Sequence, residues 1–344
     1  MQQPAGVIGS GKFGTTIVRL LALNGPVIWY VRNEKTAEAI SNSREHLNYK
    51  LADNILITTD IQHLTTSCQV IFPVIPSQFV RGMLRSISDI LTPAHILIHG
   101  TKGLDTEGLS DDEIMHVQLS RQHVHTISEV IAQETIVKRI GCLSGPNLAT
   151  EILEDQPTAT VIASEFEEVI QIGKRWLSSR RFYVFGSNDI IGAEIAGALK
   201  NIIAIGSGLL MGRGYGKNIQ AMLITRGLRE MISFGQAMGA SPGSFFGTSG
   251  LGDLIATATS ELSRNFTLGE RLAKGEDLET IINSSDETAE GVRTLRIAQQ
   301  LAKYYNIHVP ITETLYKIVY EGQEIDESLN YLMRYPFTQD VDFI

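Results

Sequence analysis

The sequence predicts an α/β chain: an N-terminal doubly wound parallel sheet over residues 1–187, followed by an all-helical domain over residues 188–344. Three observations carry that reading. Short β-branched runs alternate with helical periodicity through the first half, a glycine-rich turn joins the first of them, and strand signals stop at Ser187. The 344 residues, 43% hydrophobic and 19% charged, suit two domains rather than one.

Taken in order, "AGVIG" reads as a strand, "FGTTIVRLLALNG" as a helix ending at Gly25, and "PVIWYV" as a second strand. The runs "NILITT", "CQVIFPVI", "HILIHG", "KRIGCLS", "TATVIAS" and "FYVFG" follow as further strands. Helical stretches such as "SQFVRGMLRSISDIL" and "EFEEVIQIGKRWLSS" separate several of them, which implies a parallel sheet. Residues 110–136 are polar and helix-like, and with His116, His123 and His125 they read as a solvated surface insert rather than a metal site. Beyond Ser187 the patterns are helical, including "GAEIAGALKNIIAIGSGLLMG", "AMLITRGLREMISFGQAMG" and "TLRIAQQLAKYYN".

A formal net charge of −9 and a pI near 5.4 argue against a nucleic-acid partner. A chain this acidic must concentrate positive charge locally to bind an anion. Two distant cysteines, Cys68 and Cys142, fit core positions in a reducing compartment. No run approaches the roughly 18 apolar residues that span a bilayer. The first strand pattern starts close to Met1, which leaves no room for a signal peptide. The expectation is a cytoplasmic protein without membrane insertion.

Gly9, Gly11 and Gly14 form G-x-G-x-x-G between a predicted strand and a predicted helix. In that setting the first glycine makes the turn, the second admits a pyrophosphate, and the third lets helix and strand pack closely. The pattern reads as the dinucleotide cradle of a Rossmann domain, the alternative being an ordinary βα turn. An NAD-selective site usually carries an acid at the end of the second strand, where this chain has Arg32. Arg32 can pair with a 2′-phosphate and Lys12 can add charge beside it, which favours NADPH over NADH. The alternative is that Arg32 stacks on adenine and Lys12 points to solvent. Glu34 reads as an exposed helix start.

In the second half, Lys200 sits in an otherwise apolar helix whose face carries Ala193, Ala196, Gly197 and Ala204. Burying a lysine there is costly unless it has a partner or a task, the alternative being a snorkelling surface position. Asp253 follows a glycine-rich turn, with Thr257 one helical turn on. Ser263, Arg264 and Asn265 form a polar triplet suited to a phosphate, or else a helix cap. Lys102 in "HGTKGL" and the tight turn "LSGPNLATEI" stand at strand ends, where open sheets bind ligands.

The stretches "GSGKFGT", "VIPSQFVR", "TKGL", "SGPNLATEI", "EIAGALKNIIAI", "LITRGLREM", "GLGDLIATATSELSRN", "AEGVRT" and "VPITETLYKIVYEG" carry a resemblance. In this order they resemble the NAD(P)-dependent glycerol-3-phosphate dehydrogenases of the bacterial biosynthetic type, from about residue 5 to residue 322. The resemblance implies a homodimer that reduces dihydroxyacetone phosphate to sn-glycerol 3-phosphate for phospholipid synthesis. It implies that Lys200 is the general acid/base, with Lys102 and Asp253 completing the polar centre. Substrate contacts then fall on Lys102, Gly145, Asn147, Lys200, Asp253, Ser263, Arg264 and Asn265. Cofactor contacts fall on Phe13, Arg32, Lys102, Ala149, Arg264 and Glu290, beside the loop residues Gly9, Gly11, Lys12 and Gly14. Nothing implies a metal.

The chemistry suits those residues. A protonated lysine donates to the oxygen of a ketone that receives hydride, and the neutral amine takes the proton back in reverse. That asks for a lysine pKa lowered towards neutrality, with Lys102 as the cationic neighbour and Asp253 orienting the ammonium. The chain departs from the family pattern at Lys12 and Phe13, where the loop usually reads G-x-G-S/N-W-G, and at Leu148 and Thr150. The insert after "TKGL" is longer than usual. The alternatives are a ketopantoate-type ketoacid reductase and a catalytically silent dinucleotide sensor.

Overall fold

The computed structural model describes residues 2–284 and 290–335. Ala289 of "AEGVRT", and residues 336–344 of the expected second domain, lie outside the described residues. The chain divides into two compact units, Met1–Thr101 with Thr126–Ile190, and Lys102–His125 with Ile191–Ile344.

The first unit opens with β1 (Ala5–Ile8), α1 (Lys12–Ala22), β2 (Val27–Tyr30) and α2 (Glu34–Ser43). A short hairpin, β3 (Glu45–His46) and β4 (Tyr49–Lys50), leads to β5 (Ile55–Thr58) and α3 (Ile61–Ser67). Then come β6 (Val70–Pro73), α4 (Ser77–Ile87) and β7 (Ile96–His99). After α5 (Asp111–His116), which belongs to the second unit, the chain returns through α6 (Ile127–Glu134), β8 (Arg139–Ser144) and α7 (Ala149–Leu153). It finishes the sheet with β9 (Thr158–Ala163), α8 (Glu167–Leu177) and β10 (Phe182–Ser187).

Eight strands form one sheet in the order β10-β9-β8-β7-β6-β1-β2-β5. Alternate residues feed the two faces: Val7, Trp29, Ile96 and Ile98 join one core, while Ile8, Ile28 and Leu97 join the other. Both faces are covered, so the strands read as continuous apolar runs rather than alternating ones. Cys68 is among the buried residues, and burial pushes its thiol up to about 12, so it stays a protonated core residue.

The sheet departs from the all-parallel expectation at one pair, because β8 and β9 run antiparallel. The connection between them contains only the five-residue helix α7. Such a helix rises about 7.5 Å, whereas a six-residue strand spans about 20 Å. It therefore turns the chain round and does not carry it back to the start of the strand.

The second unit is built on α9 (Ile190–Gly212) and α10 (Lys217–Ala237), followed by α11 (Asp253–Ala258), α12 (Arg264–Ala273) and α13 (Leu278–Asn283). It ends with α14 (Glu290–Tyr305), α15 (Pro310–Glu321) and α16 (Ile325–Met333). By length and composition α9 could cross a membrane, but it is the buried centre of this unit's core. Ala196, Leu199, Ile203 and Leu210 all lie in that core. Helix α12 packs directly on α9, since a Cβ added at Gly269 would lie 2.1 Å from the carbonyl oxygen of Ile205.

Residues 110–136 are not the solvated insert the sequence suggested, since Ile127, Val130 and Ile131 are buried in the first unit and the earlier part of the stretch belongs to the second. Leu104, Ile114, Leu119 and Val124 are buried in the helical core. Arg293 of α14 donates to Thr106 Oγ1 at 2.6 Å and to the Leu109 carbonyl at 3.0 Å. Gln300 accepts from the Leu119 N–H and donates to the Ile114 carbonyl, each at 2.7 Å. His125 closes the excursion by pairing its backbone with Asp105, and its ring lies 3.3 Å from Glu107 Oε1. The polar residues of this segment mask four apolar anchors spaced too irregularly to show a period.

Candidate active site

The second unit gathers two of the expected residues, Lys200 and Lys102, around the carboxylate of a third, Asp253. Lys200 projects from the middle of α9 and donates to Asp253 Oδ1, and also to Thr257 Oγ1 at 2.6 Å. Lys102 donates to the other oxygen, Asp253 Oδ2, at 2.7 Å. Thr257 donates in turn to Asp253 Oδ1 at 3.2 Å. Asp253 opens α11 directly after a π turn over Thr248–Gly252, and Thr257 shares its face because the two are four residues apart. Asn201 donates to the Lys102 carbonyl at 3.4 Å, tying the Lys102 segment to α9.

Burial grades this cluster. The side chains of Asp253 and Lys200 are 2% and 7% exposed, and that of Lys102 is 19% exposed, so Lys102 forms its more open side. Burial drives the Lys200 pKa down from 10.5 to about 7, the Lys102 charge pushes the same way, and Asp253 opposes both. For Asp253, burial favours the neutral acid, but Lys102 and Lys200 outweigh it and hold the carboxyl below its usual range. With all three ionised, the centre carries one surplus positive charge. It can exchange a proton near pH 7 and stabilise an oxygen that becomes negative.

The triplet Ser263, Arg264 and Asn265 divides its tasks. Ser263 caps α12 by accepting the Phe266 N–H at 3.3 Å. The Oδ1 of Asn265 accepts the N–H of Gly291, next to Glu290 at the start of α14, at 3.0 Å. Arg264, the first residue of α12, is exposed. The cap and the polar triplet are thus compatible uses of one stretch.

In the first unit, the remaining expected residues stand at the carboxyl ends of β1, β2 and β8. Those ends share one edge, because every pair from β2 through β1, β6 and β7 to β8 is parallel. Gly9 has φ +129° and a Cβ there would meet the Val74 carbonyl oxygen at 2.5 Å. A Cβ at Gly14 would meet the Gly9 carbonyl oxygen at 2.1 Å. The loop thus abuts the segment after β6, where the strand order reverses and open sheets take ligands. Gly11 caps α1, Lys12 is its exposed first residue, and the Phe13 ring rests against Gly100. Arg32 is exposed just after β2, and Glu34 is the exposed start of α2. After β8, Asn147 donates to Thr160 Oγ1 at 2.9 Å, while its buried Oδ1 has no hydrogen-bond partner among the described residues. Gly145 and Ala149 flank it, Ala149 as the first residue of α7.

Comparison with known proteins decides the family. The model of the NAD-dependent glycerol-3-phosphate dehydrogenase N-terminus matches residues 4–170, and that of the C-terminus matches residues 189–330. The chain belongs to the NAD-dependent glycerol-3-phosphate dehydrogenase family. It is an oxidoreductase with a dinucleotide-binding domain. A glycerol-3-phosphate dehydrogenase [NAD(P)+] of Pseudomonas putida KT2440 is 39% identical over 100% of this chain and 97% of its own length. The like-named enzyme of Teredinibacter turnerae is 37% identical over 98% of this chain and 96% of its own. Among solved structures, glycerol-3-phosphate dehydrogenase from Coxiella burnetii superposes with a TM-score of 0.86 at 27% identity, covering 97% of this chain and 99% of that one. A ketopantoate reductase from Ralstonia eutropha, at 13% identity and a TM-score of 0.58, shares the fold alone.

Sequence reasoning assigned no role to Thr257 or Asn201 in the family centre. The signal for Thr257 was its four-residue offset from Asp253. For Asn201 the signal was a polar side chain directly after Lys200 in an otherwise apolar stretch.

Proposed function

We propose that the chain reduces dihydroxyacetone phosphate to sn-glycerol 3-phosphate, reversibly, with Lys200 as the general acid/base. The observation that carries this reading is the buried Lys200–Asp253–Lys102 cluster, with Lys200 brought to about 7. Family membership supports it.

The residues of the glycine loop fit a dinucleotide, because the spaces beside Gly9 and Gly14 exclude any Cβ. Bound NAD(P)H supplies the hydride. Lys200 donates a proton to the ketone oxygen as it gains charge, and in the oxidative direction its neutral amine accepts that proton. Asp253 and Thr257 fix the direction of the Lys200 amine, and Lys102 adds positive charge beside the forming alkoxide. Arg264 anchors the substrate phosphate, a remote group whose binding energy orients the carbonyl. Asn147, with its unpartnered Oδ1, accepts from a substrate hydroxyl.

NADPH is the favoured cofactor in this reading. Lys12 and Arg32 are both exposed, and Lys12 opens a helix whose dipole disfavours a cation unless an anion is bound there. A cytoplasmic homodimer that supplies glycerophospholipid synthesis completes the proposal.

The test is loss of nicotinamide absorbance with dihydroxyacetone phosphate, run in parallel with NADH and NADPH. Turnover is expected with both, faster with NADPH. Binding of a dinucleotide without turnover would replace the enzyme with a sensor.

A further inference from the structure

We propose that His46 and Trp29 are positioning residues of the glycine loop, setting dinucleotide affinity by fixing the direction in which its peptide groups face. The inference rests on the dinucleotide role of that loop proposed above.

Two consecutive loop carbonyls are held from behind. The buried Trp29 donates Nε1–H to the Gly9 carbonyl at 2.8 Å. His46 Nε2 lies 3.0 Å from the Ser10 carbonyl, and because a carbonyl only accepts, Nε2 carries the hydrogen. The two rings support each other edge to face, with centroids 5.5 Å apart. A trans peptide is planar, so its C=O and the following N–H point in opposite directions. Holding the Gly9 and Ser10 oxygens therefore turns the Ser10 and Gly11 N–H groups to the opposite side. Oriented N–H groups at a helix N-terminus are what a pyrophosphate requires.

The hairpin that delivers His46 is held in place at some conformational cost. It contributes no strand to the eight-stranded sheet and pairs only His46 with Tyr49 and Glu45 with Lys50. Its turn residues Leu47 and Asn48 have φ of 51° and 66°, and Arg44 before it has φ 54°. Two-residue turns of this hand favour Asn and Gly, and leucine is a poor occupant. Non-glycine residues persist in this conformation where their surroundings over-determine it, often at ligand-holding elements. Arg44 supplies part of that constraint by donating to the Ile55 carbonyl at 3.0 Å, anchoring the hairpin to β5.

Three substitutions separate the orienting role from packing. His46→Phe keeps a ring against Trp29 and removes the donor, His46→Gln keeps a donor, and Trp29→Phe keeps a ring without its N–H. NADPH binding is followed by nicotinamide fluorescence on each full-length chain, alongside kcat, KM for dihydroxyacetone phosphate, and Tm. Loss of one such bond is expected to weaken NADPH about 3- to 10-fold in His46→Phe and Trp29→Phe, with His46→Gln restored to within about twofold of wild type. KM for dihydroxyacetone phosphate is expected to move far less than the Kd for NADPH. Wild-type affinity in His46→Phe overturns the proposal, as does His46→Gln binding no better than His46→Phe. Wild-type affinity in Trp29→Phe removes Trp29 from the pair. A wild-type chain that binds neither NADPH nor NADH defeats the dinucleotide reading itself, whereas wild-type binding with unaffected variants defeats only the positioning role.

Discussion

Lys12 and Lys200 are the same residue in opposite settings, one in each unit. Lys12 stands exposed at the first position of α1, and Lys200 is buried in the middle of α9. The exposed lysine can act only as a screened charge added to a site that backbone groups already make. The buried lysine has its proton affinity reset by the surrounding packing, and its hydrogen bonds to Asp253 and Thr257 decide which way it points. A ligand charge needs a countercharge, whereas proton transfer needs a tuned one.

The strongest test of that contrast removes the buried amine. Lys200→Met fills similar volume and leaves Asp253 held by Lys102, so kcat is expected to fall by about 10²- to 10⁴-fold. NADPH affinity is expected to stay unchanged in equilibrium titration, and its loss would make Lys200 a structural residue. The pH profile sharpens the same point. Lys200 is protonated below about 7, so reduction slows as pH rises through that value, and oxidation slows as pH falls through it. Both inflections are expected to vanish in Lys200→Met, and their persistence would assign the titration elsewhere.

Arg264 lies between the two lysines in kind, exposed like Lys12 but proposed as the anchor of the substrate phosphate. Arg264→Ala is expected to raise KM for dihydroxyacetone phosphate by about 10- to 100-fold, the range for one charged hydrogen-bonding group. An unchanged KM removes it as the phosphate anchor. The smallest effects belong to the exposed pair. Arg32→Ala and Lys12→Ala are each expected to lower NADPH affinity only a few-fold, as for solvated charges, with NADH barely altered. Equal losses for both dinucleotides would show that neither residue reads the 2′-phosphate.

Local patterns made the first unit legible. The glycine spacing, the apolar strand runs and the helix bearing Lys200 each lie within one short window. What the sequence hid depends on partners far along the chain. The reversal of β9 turns on the brevity of α7, and the hairpin under the glycine loop carries a leucine where its turn favours glycine. Residues 110–136 looked solvated because polar residues separate their buried anchors, and Gln300, the partner of Leu119, comes much later. In the candidate centre, a lysine in an apolar helix announced itself, while Thr257 looked like any threonine on a helix.

That last long-range tie bears on how the chain is made. Thr106 meets Arg293 across 187 residues and Leu119 meets Gln300 across 181. During synthesis from the N-terminus, the segment that starts at Lys102 emerges long before the helix that fastens it. Its four apolar anchors lack part of their cover until α14 leaves the ribosome. The sheet unit is interrupted by the same segment, because its own chain runs out through it and back at Thr126. A nascent chain halted before α14 therefore holds all the glycines of the cradle and all three residues of the centre, yet leaves Thr106 and Leu119 short of their α14 partners.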